Sequence, residues 1–375
     1  MSSFKRRSTK QNPVPVGTRV QPGSTSNFIT STGIPSLDDI FGGGLPLSCL
    51  QLILASDIHT AYGELVQKYF VAQGLAAGQN VCIVSDQPRE FLQGCMWLPG
   101  SANDISAPAA STSQAEDEEE ETAKDHDTKI KIAWRYEHMK QFQTTVSSQN
   151  QSSDDFCRVF DLTSPLPEAT IDRAIASKQL SVLDVPVSDS GKESIRNVLK
   201  QISELLASSN EGHSHPATPL RICIAALGSP DWGDIEPQQI CYFLHALRNL
   251  LRAYPHACAS VSLPPHLCSE SWGGQGWIQK LGWLSDASIS LTAFSGNPSL
   301  TALFPSHHGF VHIHSLPAPL TLLPPSDKFS TLRGLTSSGE NNLAFKCMRK
   351  RLIFETLHLD VEGGVGERRT TPATS

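Results

Sequence analysis

A strand, a helix and a second strand follow one another between residues 31 and 86, and this unit constrains the fold more than any other part of the chain. Residues 50–55 form an almost continuous apolar run, as expected for a parallel strand that is covered on both faces. Residues 63–76 carry apolar side chains suited to a helix that packs on a sheet, and Gly78 is placed to end it. Residues 81–84 then form a second apolar strand, so the unit is predicted to be β-α-β.

The rest of the chain extends this pattern and then changes it. Helices are predicted at 193–208 and 237–254, and strands at 220–227 and 257–263. Consecutive strands without intervening helices are predicted at 286–294, 308–314, 319–323 and 342–359. The sequence therefore predicts an α/β fold whose mostly parallel sheet is flanked by helices and carries an antiparallel extension at one edge. Apolar residues make up 39% of the 375 residues, enough for a large core.

Charge is unevenly distributed and suggests where the folded domain begins and ends. The formal net charge is −7, and residues 104–127 carry nine acids against one base, which leaves the remainder close to neutral. We predict a disordered basic arm at 1–26, a folded domain at 27–362 with a disordered acidic insertion at about 99–129, and a disordered tail at 363–375. A nearly neutral body does not by itself indicate nucleic-acid binding.

Cysteine usage and hydropathy indicate the compartment. The nine cysteines include no C-x-x-C pair, and several lie in apolar strands, where free cysteine acts as a small hydrophobic residue. We therefore expect no disulfide framework and a reducing environment, in the cytoplasm and the nucleus. No apolar run approaches the roughly 20 residues that span a bilayer, and the N-terminus lacks a signal peptide's apolar core, so no membrane association is expected.

The beginning of the β-α-β unit resembles the RecA-like ATPase core, in the branch that includes RadA and KaiC. Residues 32–46 match a glycine-rich opening motif, T-G-h-x-x-L-D-x-h-h-G-G-G-h-P, where h is apolar. In that family a strand and a phosphate-binding loop, G-x-x-x-x-G-K-[ST], follow the opening motif. The resemblance implies a RecA-like fold for this chain.

The catalytic positions of the phosphate-binding loop are changed here. Ser56 and Ala61 replace the two glycines, Tyr62 replaces the lysine, and Gly63 replaces the hydroxyl residue that binds Mg²⁺. Ala226 stands where the acid of the Walker B strand is expected. We therefore predict that the isolated chain is not an ATPase and needs no cofactor.

Four further blocks resemble the PAXNEB family, the fourth subunit of the Elongator complex. They lie at residues 131–136, 160–162, 228–232 and 345–359, in the order and spacing typical of that family. The resemblance implies that the chain forms a hexameric ring with the fifth and sixth Elongator subunits. It also implies that this ring binds tRNA and associates with the catalytic subunits, which modify wobble uridine at carbon 5. Any ATP hydrolysis would then belong to the assembled ring.

One block suggests a contact surface. Lys131 and Arg135 lie close in sequence to Trp134 and Tyr136, a combination that suits single-stranded RNA and equally suits a subunit interface. Arg89, which follows the second strand of the unit, is a weaker candidate for the same roles. Basic residues at 346–351 fit either phosphate binding or a charged edge strand.

Two other functions compete with this interpretation. The first is an active RecA/KaiC-type ATPase that acts on DNA through an unusual phosphate loop, and the second is a scaffold that makes no RNA contact. A metal site is not predicted, because His312 and His314 share one strand face without a cysteine or an acid at a suitable spacing.

Overall fold

The computed structural model describes residues 13–24, 26–99, 156–185, 190–210, 217–332 and 342–357. The strands are β1 (Thr18–Val20), β2 (Phe28–Thr30), β3 (Leu45–Pro46), β4 (Leu50–Leu54), β5 (Asn80–Ser85), β6 (Met96–Trp97), β7 (Asp161–Pro165), β8 (Leu180–Asp184), β9 (Leu220–Ile224), β10 (Ala257–Leu263), β11 (Ala287–Ala293), β12 (Gly309–Ser315), β13 (Leu343–Cys347) and β14 (Leu352–Thr356). The α-helices are α1 (Pro35–Ile40), α2 (Tyr62–Ala76), α3 (Pro88–Gln93), α4 (Glu168–Ala176), α5 (Gly191–Asn210), α6 (Pro237–Ala253), α7 (Glu270–Gly273), α8 (Trp277–Leu284), α9 (Pro298–Leu303) and α10 (Ser326–Phe329).

A nine-stranded sheet in the order β14-β13-β12-β11-β4-β10-β9-β5-β8 organises the molecule. The six strands from β11 to β8 run parallel, and β12, β13 and β14 extend the sheet in antiparallel pairs from β11. This is the predicted α/β fold, a mostly parallel sheet with an antiparallel edge extension. None of the helices in the described ranges is long and apolar enough to cross a bilayer.

Two hydrophobic layers cover the two faces of the sheet. Helices α1, α2, α3 and α4 contribute to one layer, and α5, α6 and α8 contribute to the other. The central strands β4, β9 and β10 are buried along their whole length, because both faces are covered. The carboxyl ends of these strands, with the loops that follow them, form the edge at which α/β proteins bind ligands.

Two of the predicted strands are wrong in detail. Residues 319–323 form a turn rather than a strand, and Leu320, Leu322 and Leu323 are strongly exposed there, so no sheet neighbour covers them. The single strand predicted at 342–359 is a hairpin, because residues 348–351 turn the chain between β13 and β14.

Candidate functional site

Two aspartates of the glycine-rich opening motif anchor the start of the core. Asp38 is buried, and its carboxylate accepts hydrogen bonds from the Ser31 hydroxyl (2.5 Å), the Thr32 hydroxyl (2.7 Å) and the Thr32 N–H (2.7 Å). Burial raises the pKa of Asp38 to about 6, although these hydrogen bonds oppose the shift. Asp39 accepts from the backbone N–H groups of residues 331 and 332, at 3.0 and 2.9 Å. The sequence analysis did not predict these roles for Asp38 and Asp39. The feature that could have indicated them is a pair of successive acids in an otherwise apolar segment.

The loop between β4 and α2 occupies the position of a phosphate-binding loop but is folded on itself. The Asp57 carboxylate accepts hydrogen bonds from the His59 N–H (2.9 Å) and the Thr60 hydroxyl (2.7 Å), an arrangement that closes a local turn. Ile58 projects into solvent, with 76% of its surface exposed. The Ser56 hydroxyl lies 3.4 Å from the carbonyl oxygen of Leu291 on the neighbouring strand β11. The loop thus places a carboxylate and an apolar side chain where a nucleotide would need donors.

Tyr62 and Gly63, in the positions of the catalytic lysine and the hydroxyl residue, serve packing. The Tyr62 ring packs on Phe345 of β13, with 4.6 Å between ring centroids, and on His308 at 6.4 Å. Partial burial raises the pKa of the Tyr62 hydroxyl. Gly63 lies so close to Ala55 that a Cβ at this position would be 2.7 Å from the Ala55 Cβ. A threonine would collide there, so both positions are used to pack α2 on the sheet.

A network of neutral hydrogen bonds fills the Walker B side of the cleft. The Ala226 N–H donates to the Ser262 hydroxyl (2.9 Å), and that hydroxyl donates to the side-chain oxygen of buried Gln67 (2.8 Å). The Gln67 amide in turn donates to the carbonyl oxygens of Ile224 (2.9 Å) and Ser260 (3.2 Å). Ala226 adopts φ of +48° and has no side-chain oxygen to hold a cation. The network ties α2 to β9 and β10 without any charged group.

The cleft that these elements enclose has a volume of about 730 Å³ and is acidic. Its lining contains four acids and one base: Asp57, Glu64, Asp86, Glu90 and Lys68. The base is already paired, because the Lys68 ammonium lies 2.6 Å from the Glu64 carboxylate. The excess of carboxylates would repel a phosphate chain.

The rim of the cleft adds to this negative character. A hydrogen bond with the neighbouring Asp86 carboxyl raises the pKa of Asp231, the acid of the Gly228–Trp232 block. Arg89, on the nearby helix α3, is not part of the cleft lining. Its guanidinium contacts Glu168 at 3.1 Å and Asp172 at 3.8 Å, so its charge is engaged by helix α4. The structure does not bring Arg89 together with the phosphate-loop positions.

The remaining candidate residues lie elsewhere. The block formed by Lys131, Trp134, Arg135 and Tyr136 falls outside the described residues. Lys346 is on β13, and the basic residues 349–351 follow at the hairpin end. His312 and His314 lie on β12, and the His314 Nε2 is 2.9 Å from the Ser290 hydroxyl. Within the described ranges, no group of three or more His, Cys, Asp or Glu side chains could hold a metal.

Comparisons with known proteins give one consistent result. The chain is 30% identical to Elongator complex protein 4 of Xenopus laevis, over 96% of this chain and 86% of the relative. It is 28% identical to the Homo sapiens protein of the same name, over 88% of this chain and 77% of the relative. It is 24% identical to the one from Schizosaccharomyces pombe, over 94% and 91% respectively. The sequence profile of the PAXNEB protein family matches residues 10–374, and the chain therefore belongs to that family.

Proposed function

We propose that this chain is the fourth subunit of an Elongator complex and acts there as a non-catalytic RecA-like building block. It would form a hexameric ring with the fifth and sixth subunits, in the cytoplasm and the nucleus. That ring would bind tRNA and support modification of wobble uridine at carbon 5 by the catalytic subunits. The name of the relatives, Elongator complex protein 4, supports membership of the complex.

One observation carries the non-catalytic role. The cleft at the carboxyl edge of the sheet keeps the place and size of a nucleotide site, but its lining has four acids and a single, paired lysine. The two positions that contact phosphate and Mg²⁺ in the ATPases are used here to pack α2 against Phe345 and Ala55. Among the described residues of the phosphate loop and the Walker B strand, none supplies the lysine, the hydroxyl or the acid that ATP hydrolysis uses, which supports a non-catalytic role.

A ring is supported by the way RecA-like subunits associate. Head-to-tail contacts between related subunits close into rings when the rotation between neighbours completes a circle. An assembled ring would hold RNA mainly through contacts to phosphates and through shape.

The decisive experiment is deletion of the gene in its own organism. Carbon-5-modified wobble uridines in digested total tRNA would be quantified by mass spectrometry. We expect their loss, with recovery when the intact gene is returned. Unchanged levels would refute a role in this modification.

A second measurement separates the proposal from an active ATPase. The purified chain would be titrated with ATP and Mg²⁺ in a calorimeter, next to a RecA-like ATPase with an intact phosphate loop. We expect no binding by the isolated chain below millimolar concentrations. Micromolar affinity with Mg²⁺-dependent turnover would instead support the rival interpretation as an active enzyme.

A further inference from the structure

A second depression lies between helices α5 and α6, on the face of the sheet opposite to α2 and α3. We name it the α5–α6 groove. It has a volume of about 390 Å³ and is lined by Lys192, Ile195, Arg196, Glu236, Gln238, Gln239 and Tyr242. Its wall is mostly polar, because only Ile195 is an aliphatic residue, and that side chain is 1% exposed.

The two cations of the groove are exposed and lie one turn apart on α5. Lys192 and Arg196 occupy positions at which like charges repel each other. Among the described residues neither makes an ion pair, although Lys200, one turn further along the same helix, is 3.9 Å from Glu204. An anion in the groove would relieve the repulsion between the two side chains.

The groove lining contains one carboxylate, that of Glu236. Glu236 precedes α6 and forms a capping box with Gln239, in which the Glu236 N–H donates to the Gln239 side-chain oxygen at 3.2 Å. The Glu236 carboxylate in turn faces the backbone N–H of Gln239. The two cations outnumber this one carboxylate in the lining, so the groove keeps a positive character.

Tyr242 supplies a flat aromatic surface beside these cations. It is 55% exposed, a large fraction for a tyrosine in a long amphipathic helix whose other aromatic residue, Phe243, is fully buried. A cation pair next to an exposed ring and side-chain amides suits a single-stranded nucleic acid, whose phosphates bind the cations and whose base stacks on the ring. A folded protein partner would find little apolar surface to bury here.

We propose that the α5–α6 groove binds a single-stranded stretch of RNA, with Lys192 and Arg196 on the phosphates and Tyr242 stacked on a base. This inference rests on the proposed function in one respect, because it takes RNA to be the ligand of the assembled ring. It assigns the contact to a surface that the sequence did not indicate.

The test uses the ring assembled with the fifth and sixth subunits and a fluorescein-labelled tRNA transcript, with binding followed by anisotropy at several salt concentrations. We expect Lys192→Glu and Arg196→Glu each to weaken binding by about fivefold or more and to reduce the dependence of log affinity on log salt. Lys200→Glu is the matched control, because it reverses a positive charge on the same helix outside the groove, and we expect less than about a twofold effect.

Tyr242→Ala should weaken binding by about fivefold, whereas Tyr242→Phe should bind like the wild type because stacking needs only the ring.

The outcomes separate this inference from the proposed function. If the wild-type ring binds tRNA and the two charge reversals behave like Lys200→Glu, the groove does not bind RNA, but the proposal that the ring binds tRNA is supported. If the wild-type ring does not bind tRNA, both are wrong. Circular dichroism and the size of each assembled ring would show whether a variant lost binding only because it failed to fold or to assemble.

Discussion

Buried polar side chains hold the core of this protein together. Arg221 on β9 is fully buried, and its guanidinium donates to Gln79 (2.5 Å), to the Thr30 hydroxyl (2.6 Å) and to the carbonyl oxygen of Phe70 (3.1 Å). Burial lowers the pKa of Arg221 to about 10, which still leaves it protonated at neutral pH. A buried charge is tolerated only when its donors are satisfied. Arg221 thereby joins β9, α2 and the N-terminal strands.

Asp38 should make stability depend on pH between about 4 and 6. Its folded pKa is raised to about 6 from 3.8, so in this window the folded state binds more protons than the unfolded state. Stability therefore falls as pH rises through the window, by about 2–3 kcal/mol for a shift of this size. Asp38→Asn removes this titrating group. The difference in the free energy of unfolding, wild type minus variant, should therefore fall by this amount between pH 4 and pH 7.

Urea denaturation at a series of pH values would measure this difference. The exposed Asp172→Asn variant controls for replacing any carboxylate by an amide. Parallel curves for the wild type and Asp38→Asn across the whole range would contradict the prediction.

Gly63 should be required by its contact with Ala55. A Cβ at position 63 would lie 2.7 Å from the Ala55 Cβ, so Gly63→Ala should destabilise the protein by about 1–2 kcal/mol through overpacking, despite the better helix propensity of alanine. Removing the opposing methyl group in Ala55→Gly/Gly63→Ala should restore part of that loss. Thermal unfolding of both variants, with Ala55→Gly alone as the control, measures the coupling. Strictly additive effects would mean that the two positions do not collide.

At the scale of the elements, one buried carboxylate connects three of them. Asp286, just before β11, accepts from the Leu50 N–H of β4 at 2.8 Å and pairs with Arg248 (3.0 Å) and Arg252 (2.5 Å) of α6. The carboxylate is 4% exposed, whereas the two arginines are 35% and 38% exposed. This pairing holds α6 on the sheet where β4 and β11 begin.

Asp286→Asn should cost about 2 kcal/mol, less than a fully buried pair because the arginines are partly solvated. The free energy of unfolding in urea would be compared with that of Glu204→Gln, which breaks the exposed Lys200–Glu204 pair and should cost less than about 0.5 kcal/mol. Equal losses in the two variants would show that the Asp286 cluster adds nothing beyond a surface ion pair.

Helices and strands could be predicted from the sequence where the local pattern of apolar residues favours the same structure as the tertiary contacts. The helix predicted at 63–76 is α2 with one more residue, and the strand predicted at 257–263 is β10 without change. The error at 319–323 arose because a segment with three leucines suggests a strand, yet Leu320 has φ of +58° and no described strand pairs with this segment. The packing of Tyr62 on Phe345 joins residues far apart in the chain, and no local pattern contains it.

At the scale of the whole molecule, the two strands that flank the long segment between β6 and β7 lie next to each other. Trp97 pairs with Asp161, and Met96 pairs with Pro165, in a small antiparallel sheet. The main sheet does not include these two strands. Phe156, near the end of that segment, does contact the body, because its carbonyl oxygen accepts from the Gln73 amide at 2.8 Å.

The acidic part of this segment should therefore be dispensable for folding and assembly. Replacing residues 100–128 by a short Gly/Ser linker keeps both strands of the small sheet and the Phe156 contact, so no described hydrogen bond is lost. Loop-closure entropy changes slowly with length, and we expect the free energy of unfolding to change by less than about 1 kcal/mol. Urea denaturation of the protein, and light scattering of the proposed assembly with the fifth and sixth Elongator subunits, provide the measurements. A replacement of the same length by scrambled sequence separates the effect of length from that of composition, and loss of assembly in the shortened chain alone would show that the segment spans a required distance.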